Sequence, residues 1–85
     1  MTYGEIKRQQ ATHICKELFE AFFVRHNKSR NKMENKQYCE AKKLFKCSLK
    51  YLIMANTIAV KYNITEYVNK AKNIANDINV NLGEE

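Results

Sequence analysis

The stretch Ile64-Thr65-Glu66-Tyr67-Val68-Asn69-Lys70-Ala71-Lys72-Asn73-Ile74-Ala75-Asn76-Asp77-Ile78 decides the fold class. Its apolar side chains fall at Ile64, Tyr67, Val68, Ala71, Ile74, Ala75 and Ile78, and Leu82 extends the row. Steps of three and four residues put them on one face of an α-helix, whereas a half-buried strand would alternate every second residue. Asn63, followed three residues later by Glu66, has the spacing of a capping box at a helix start. Gly83 stands just past the last apolar residue, where a left-handed C-terminal cap would sit. The stretch predicts a helix over 64–82.

The same two signals repeat toward the N-terminus. Tyr38, Ala41, Leu44, Phe45, Ser48, Leu49, Leu52, Ala55 and Ala59 form one broad stripe, with Asn31 and Glu34 spaced as a capping box before it. Ile6, Ala11, Ile14, Leu18, Ala21 and Phe22 recur at mostly three- and four-residue intervals behind Thr2 and Glu5. These patterns predict helices over 3–26 and 32–61, joined by the polar segment Asn27–Asn35. The chain has no proline, and its two glycines, Gly4 and Gly83, lie near the ends, so nothing interrupts the helices. Short connections make successive helices antiparallel. The expected architecture is all-α, an antiparallel three-helix bundle forming a single domain over 1–85.

Composition bounds the function. With 85 residues the chain supports one small core, and a hydrophobic share of 45% is too high for a disordered tail. The formal charge is +6, split as +4 over residues 1–36 and +2 over 37–85, which reads as an excess spread along the chain. Such a surface suits an acidic peptide, nucleic acid or an anionic membrane surface, or no partner at all. The three cysteines, Cys15, Cys39 and Cys47, have no framework spacing. On one helix, Cys39 and Cys47 would stand ~12 Å apart, beyond disulfide reach, so free thiols in a reducing compartment are expected. No apolar stretch of signal-peptide length follows Met1, and the run Tyr51–Val60 is too short to span a bilayer. A cytosolic or nuclear location is expected.

Catalysis and metal binding find little footing. His13, Cys15, His26 and Cys39 are ligand types, but no Cys-x-x-Cys or His-x(3–5)-His pair joins them. A nucleophile needs a base and an orienting group converging in a cleft, and a bundle of this size has little room for one. The expectation is no enzyme activity, no cofactor and no metal, with both histidines on the surface of the first helix. The segment Asn27-Lys28-Ser29-Arg30-Asn31-Lys32 would suit phosphates, so a basic bundle binding nucleic acid is one alternative. A small stand-alone inhibitor or immunity-type bundle with one cognate partner is another. The small residues Ala71 and Ala75, with Ala41, Ser48 and Ala55, allow either close packing of the chain's own helices or a shallow furrow for a foreign amphipathic helix. The +6 surface favours a guest with acidic residues at its rim.

Gln37-Tyr38-Cys39-Glu40-Ala41, then Leu44-Phe45, then Leu49-Lys50-Tyr51-Leu52 resembles the second helix of the microtubule-interacting and transport (MIT) domain. Thr65-Glu66-Tyr67-Val68-Asn69-Lys70-Ala71 resembles that family's third helix, whose hallmark is Glu/Gln-Tyr-Leu-x-Arg-Ala. Lys70 replaces the hallmark arginine, and Lys72 stands where the family's ATPase members often place an acidic residue. The resemblance covers the second and third helices but not the first. It implies a non-enzymatic three-helix adaptor that binds short helical motifs of ESCRT filament subunits, cytoplasmic and brought to endosomal membranes through its partners. By position it implies a groove between the second and third helices lined by Leu44, Ser48, Leu49, Val68, Ala71 and Ala75, with Lys72 at the rim. Tyr38, Ala41, Phe45 and Tyr67 match positions that are mainly structural.

Overall fold

Three helix endings of one kind set the layout of the chain. In the computed structural model, which describes residues 3–80, α1 spans Tyr3–Glu34, α2 spans Tyr38–Lys61 and α3 spans Thr65–Asp77. Lys36, Asn63 and Asn79 each take a left-handed backbone, with φ of 61°, 54° and 57°. Around each, the amide of the following residue donates back to a carbonyl five residues earlier: Gln37 to Lys32, Ile64 to Ala59 and Val80 to Ala75, at 2.8, 2.9 and 2.8 Å. This is the Schellman closure, which satisfies the last carbonyls and, after α1 and α2, reverses the chain within three residues. Asparagine tolerates the left-handed region better than other non-glycine residues, which suits it to two of the three sites.

These endings correct the expected caps and boundaries. Asn31 and Glu34 lie inside α1, and Asn63 ends α2 instead of capping α3. The positions that do precede α2 and α3, Gln37 and Ile64, make no side-chain capping bond. Asn79, not Gly83, follows α3, which ends at Asp77; Thr2, Leu82 and Gly83 lie outside the described residues. The polar segment expected as a loop is helical because lysine, arginine, methionine and glutamate are good helix formers. It is also pinned there, since the buried Ser29 hydroxyl donates to the Ala41 carbonyl at 2.8 Å.

Hydrogen bonds between α1 and α2 give their direction. Arg8 reaches the Asn63 carbonyl, Cys15 the Ala55 carbonyl and Ser29 the Ala41 carbonyl, so numbers rise along one helix as they fall along the other. The two helices form an antiparallel hairpin. Its seam is built from small residues, with Ala11, Cys15, Ser29, Ala41, Ser48, Ala55 and Ala59 all buried. The buried line of α1 runs Ala11, Cys15, Phe19, Phe22, Ser29, so the stripe expected through Ile6 and Ile14 is rotated from the true one, and both isoleucines are exposed. Tyr38, expected in the stripe of α2, is 58% exposed.

The third helix lies on one flank of the hairpin. Ile64, at its start, packs with Ala11, Cys15 and Ala59; Ala71 packs with Phe19, Phe22, Leu52 and Ala55. It therefore runs antiparallel to α2, completing a three-helix bundle with no strand among the described residues. At 1.5 Å per residue α3 is ~20 Å long against ~48 Å for α1, so among the described residues the far end of the hairpin consists of α1 and α2 alone. The molecule is accordingly elongated, 51 × 25 × 15 Å.

Folding also gathers charge that the linear sequence disperses. Residues 25–50 hold Arg25, Lys28, Arg30, Lys32, Lys36, Lys42, Lys43, Lys46 and Lys50 against Glu34 and Glu40, a net +7. The whole chain carries +6, so everything outside this segment sums to −1. The excess belongs to the projecting end of the hairpin and is not spread evenly.

Candidate functional site

Successive residues of a helix are rotated by ~100°, so side chains two apart point to nearly opposite flanks and those seven apart share one. Two contacts on α2 fix the flank away from α3: the Arg25 guanidinium lies 4.6 Å from the Tyr51 ring centre, and Ile58 borders a hollow with Ile14 of α1. Ile53 and Val60, two residues beyond each, therefore face the α3 side, and Leu49 precedes Ile53 by about one turn. On α3, the Lys70 ammonium lies over the α1 rings Phe19 and Phe23, at 5.0 and 5.6 Å. Lys72, two residues on, occupies the opposite flank, beside Val68 and Ala75. The mouth of the seam between α2 and α3 is thus lined by Leu49, Ile53 and Val60 on one wall and by Val68, Lys72 and Ala75 on the other.

This mouth is apolar and partly open. Ile53 is 41% and Val60 48% exposed, Leu49 and Val68 are half-buried, and Lys72 is exposed. A shallow hollow bounded by Ala75, Asn76, Asn79 and Val80 continues it past the end of α3. Val68 also packs against the core cluster of Ala11, Cys15, Ala59 and Ile64, but Ile53 and Val60, left 41% and 48% exposed, bury only part of their ~1.5–3 kcal/mol each.

The residues expected to line a groove divide into three groups. Leu49, Val68 and Lys72 flank the seam, and Ala75, at 4% exposure, lies buried beside them. Ser48 and Ala71 are both 0% exposed: Ser48 sits in the α1–α2 seam with its hydroxyl donating to the Phe45 carbonyl, and Ala71 is enclosed by Phe19, Phe22, Leu52 and Ala55. The small residues draw the chain's own helices together, so the furrow expected above them is closed at those positions. Leu44 lies seven residues before Tyr51 and so on the flank away from α3. Ile53 and Val60 were missed, although their spacing from Leu49 (four and eleven residues) marks a second apolar line beside the main stripe of α2.

Among the described residues no three His, Cys, Asp or Glu side chains come together as a metal site. His13 pairs with Glu17 on the surface at 3.1 Å. The Cys15, Cys39 and Cys47 thiols are free, and burial pushes the Cys15 thiol above its ordinary value. No helix of the described residues is long and apolar enough to cross a membrane.

His26 departs from the expected surface position. Its ring stacks on Phe22 at 5.3 Å and meets the edge of Phe45 at 6.3 Å, and its Nδ1 is buried without a hydrogen-bond partner. Desolvation, and then repulsion from Arg30, hold its pKa below the ordinary 6.5. Well above pH 6.5 the ring is neutral in the folded and the unfolded chain, so stability there is insensitive to it. As pH falls through 6.5 the unfolded chain takes up this proton first, and stability falls. The urea midpoint is expected to drop between pH 7.5 and 5.0, and His26→Gln to flatten that slope; an unchanged slope would place the pH dependence elsewhere.

Comparison with protein-family models, with curated proteins and with solved structures returned no match.

Proposed function

We propose that this chain is a non-enzymatic adaptor module that takes an amphipathic helical segment of a partner protein along the mouth of the α2–α3 seam. The observation that carries this reading is the open apolar row Leu49, Ile53 and Val60 facing Val68. Exposed lysines stand at both rims, Lys72 on α3 and Lys46 and Lys50 on α2. A helix of two or three turns presents apolar anchors at three-, four- and seven-residue steps, and the row has steps of four (Leu49 to Ile53) and seven (Ile53 to Val60). Lysine rims favour acidic residues beside the anchors and set orientation and on-rate more than affinity. The resemblance to MIT domains points the same way: their ligands are helical motifs of ESCRT filament subunits, which would bring the module to endosomal membranes through its partners. Lys72, where ATPase members of that family often carry an acid, favours a more acidic ligand here.

A single helix on a shallow row buries less than a standard interface of ~1,600 Å², so the affinity is expected to be micromolar or weaker. The test is fluorescence anisotropy with a labelled amphipathic peptide of about four turns, leucines on one face and glutamates beside them. The double variant Ile53→Asp, Val60→Asp is expected to lose about tenfold or more in affinity with unchanged helical circular dichroism, because neither side chain belongs to the buried core. Lys72→Glu is expected to weaken binding of the acidic peptide and spare an uncharged analogue. Equal affinity of all variants would remove the seam from consideration.

A further inference from the structure

The projecting end of the α1–α2 hairpin is the most highly charged part of the molecule, and it is independent of the α2–α3 seam. Six cations, Lys28, Arg30, Lys32, Lys36, Lys42 and Lys43, lie within ~9 Å of the connecting turn along the helix axes, given 1.5 Å per residue. Among the described residues two acids share this end: Glu40, which meets the Lys32 ammonium at 3.1 Å, and Glu34. The excess is +4 within about one Debye length, ~8 Å at physiological salt, so these charges act together on anything facing the tip.

Their arrangement selects the shape of the partner. Arg30 is seven residues beyond Phe23, and Lys42 seven before Leu49, so both lie on the flank that carries α3. Lys32 is seven beyond Arg25, which places it on the opposite flank; Lys28 is two residues from Arg30 and also turned away from it. Lys36 occupies the turn itself. The cations therefore ring the end of the rod. A flat anionic surface perpendicular to the long axis meets all of them, whereas a rod-like polyanion lying along either flank meets about half. Two large apolar side chains stand within the ring, Met33 at 52% and Tyr38 at 58% exposure, on either side of the turn. Phosphate oxygens offer such side chains nothing, while the boundary between headgroups and acyl chains accepts both a thioether and an amphipathic ring.

We propose that the α1–α2 end is a membrane-docking tip that binds the surface of an anionic phospholipid bilayer end-on, with Met33 and Tyr38 entering the interface. Basic residues near such a surface contribute about 1 kcal/mol each, and clusters of four to eight are enough for reversible attachment. The end-on pose leaves the α2–α3 seam, higher on the rod, accessible to a partner.

The test is co-sedimentation of the full chain with vesicles of phosphatidylcholine alone and with about one-third phosphatidylserine, at two salt concentrations. Binding is expected only to the anionic vesicles, weakening as salt rises. Arg30→Glu with Lys42→Glu is expected to reduce binding roughly tenfold or more. The control Lys16→Glu with Lys61→Glu makes the same change of charge ~27 and ~35 Å from the turn and is expected to retain most of it. Met33→Ser with Tyr38→Ser, which alters no charge, is expected to lower binding severalfold. The proposal is overturned if neutral and anionic vesicles bind alike, if the control pair loses as much as the tip pair, or if an oligonucleotide duplex at equal phosphate concentration binds more tightly than the anionic vesicles.

Discussion

Phe22→Ala is expected to lower the unfolding free energy by about 3–5 kcal/mol, enough to leave much of the chain unfolded at room temperature. The Phe22 side chain is 1% exposed and is one of the largest fully buried groups in the molecule. It packs in one cluster with Phe19 of α1, Leu52 and Ala55 of α2 and Ala71 of α3, and its ring meets Phe23 edge-on at 5.2 Å and stacks on His26. All three helices therefore converge on this ring. In a domain of this size there is one small core to absorb the loss, and the small residues around it cannot grow to fill the void. Urea denaturation followed by circular dichroism measures the effect. Phe23→Ala, its exposed neighbour, provides the comparison and is expected to cost less than about 1.5 kcal/mol. A loss at Phe22 no greater than at Phe23 would contradict the packing described.

Ala55→Leu is expected to cost about 1–3 kcal/mol, by the opposite mechanism. Ala55 is 0% exposed, and its carbonyl accepts from the Cys15 thiol at 3.5 Å, a contact that measures how closely α1 and α2 approach. Three added carbons cannot be placed there in a relaxed rotamer without moving the helices apart. That movement would also loosen the neighbouring small-residue contacts at Ala11 and Ala59. Met54→Leu, one residue earlier and 47% exposed, should be nearly neutral in the same assay. A neutral Ala55→Leu would mean that the hairpin seam is looser than its small residues imply.

How much of this was legible in the sequence varied from helix to helix. The α3 stripe was read correctly at Ile64, Ala71 and Ala75, which are buried, because bulky apolar residues and lysines alternate cleanly around it. In α1 the strong isoleucines misled. Its buried line runs through Cys15 and Ser29, small and weakly hydrophobic groups chosen by closeness of approach, while Ile6 and Ile14 sit on the flank. The polar segment 27–35 was read as a loop because hydrophobic periodicity reports burial. A helix with one neighbour and solvent on most sides needs little of it. Asparagines spaced as N-caps served in one case, Asn63, as a left-handed C-terminal residue, a role with almost the same local signature.

The residues expected to line the groove fall in different places for related reasons. Small residues signal close approach, but the sequence does not say whose helix approaches. At Ser48 and Ala71 it is the chain's own, with Ala71 packed under the two α1 rings Phe19 and Phe22. Leu44 lies on the flank away from α3 because the stripe of α2 is broad enough to cover two flanks, and the α1 contacts at Tyr51 and Ile58 separate them. The concentration of charge at the hairpin end was invisible to a count by halves, since the boundary between the halves falls at the turn that joins the two basic segments.

The most direct measurement is a residue-resolved NMR titration of the isotopically labelled chain with the acidic amphipathic peptide. The account predicts that amide shifts will cluster at Leu49, Ile53, Val60, Val68, Lys72 and Ala75 and spare Ile14 and Ile58 on the other flank. Shifts centred on that other flank, or none at peptide concentrations well above micromolar, would contradict it.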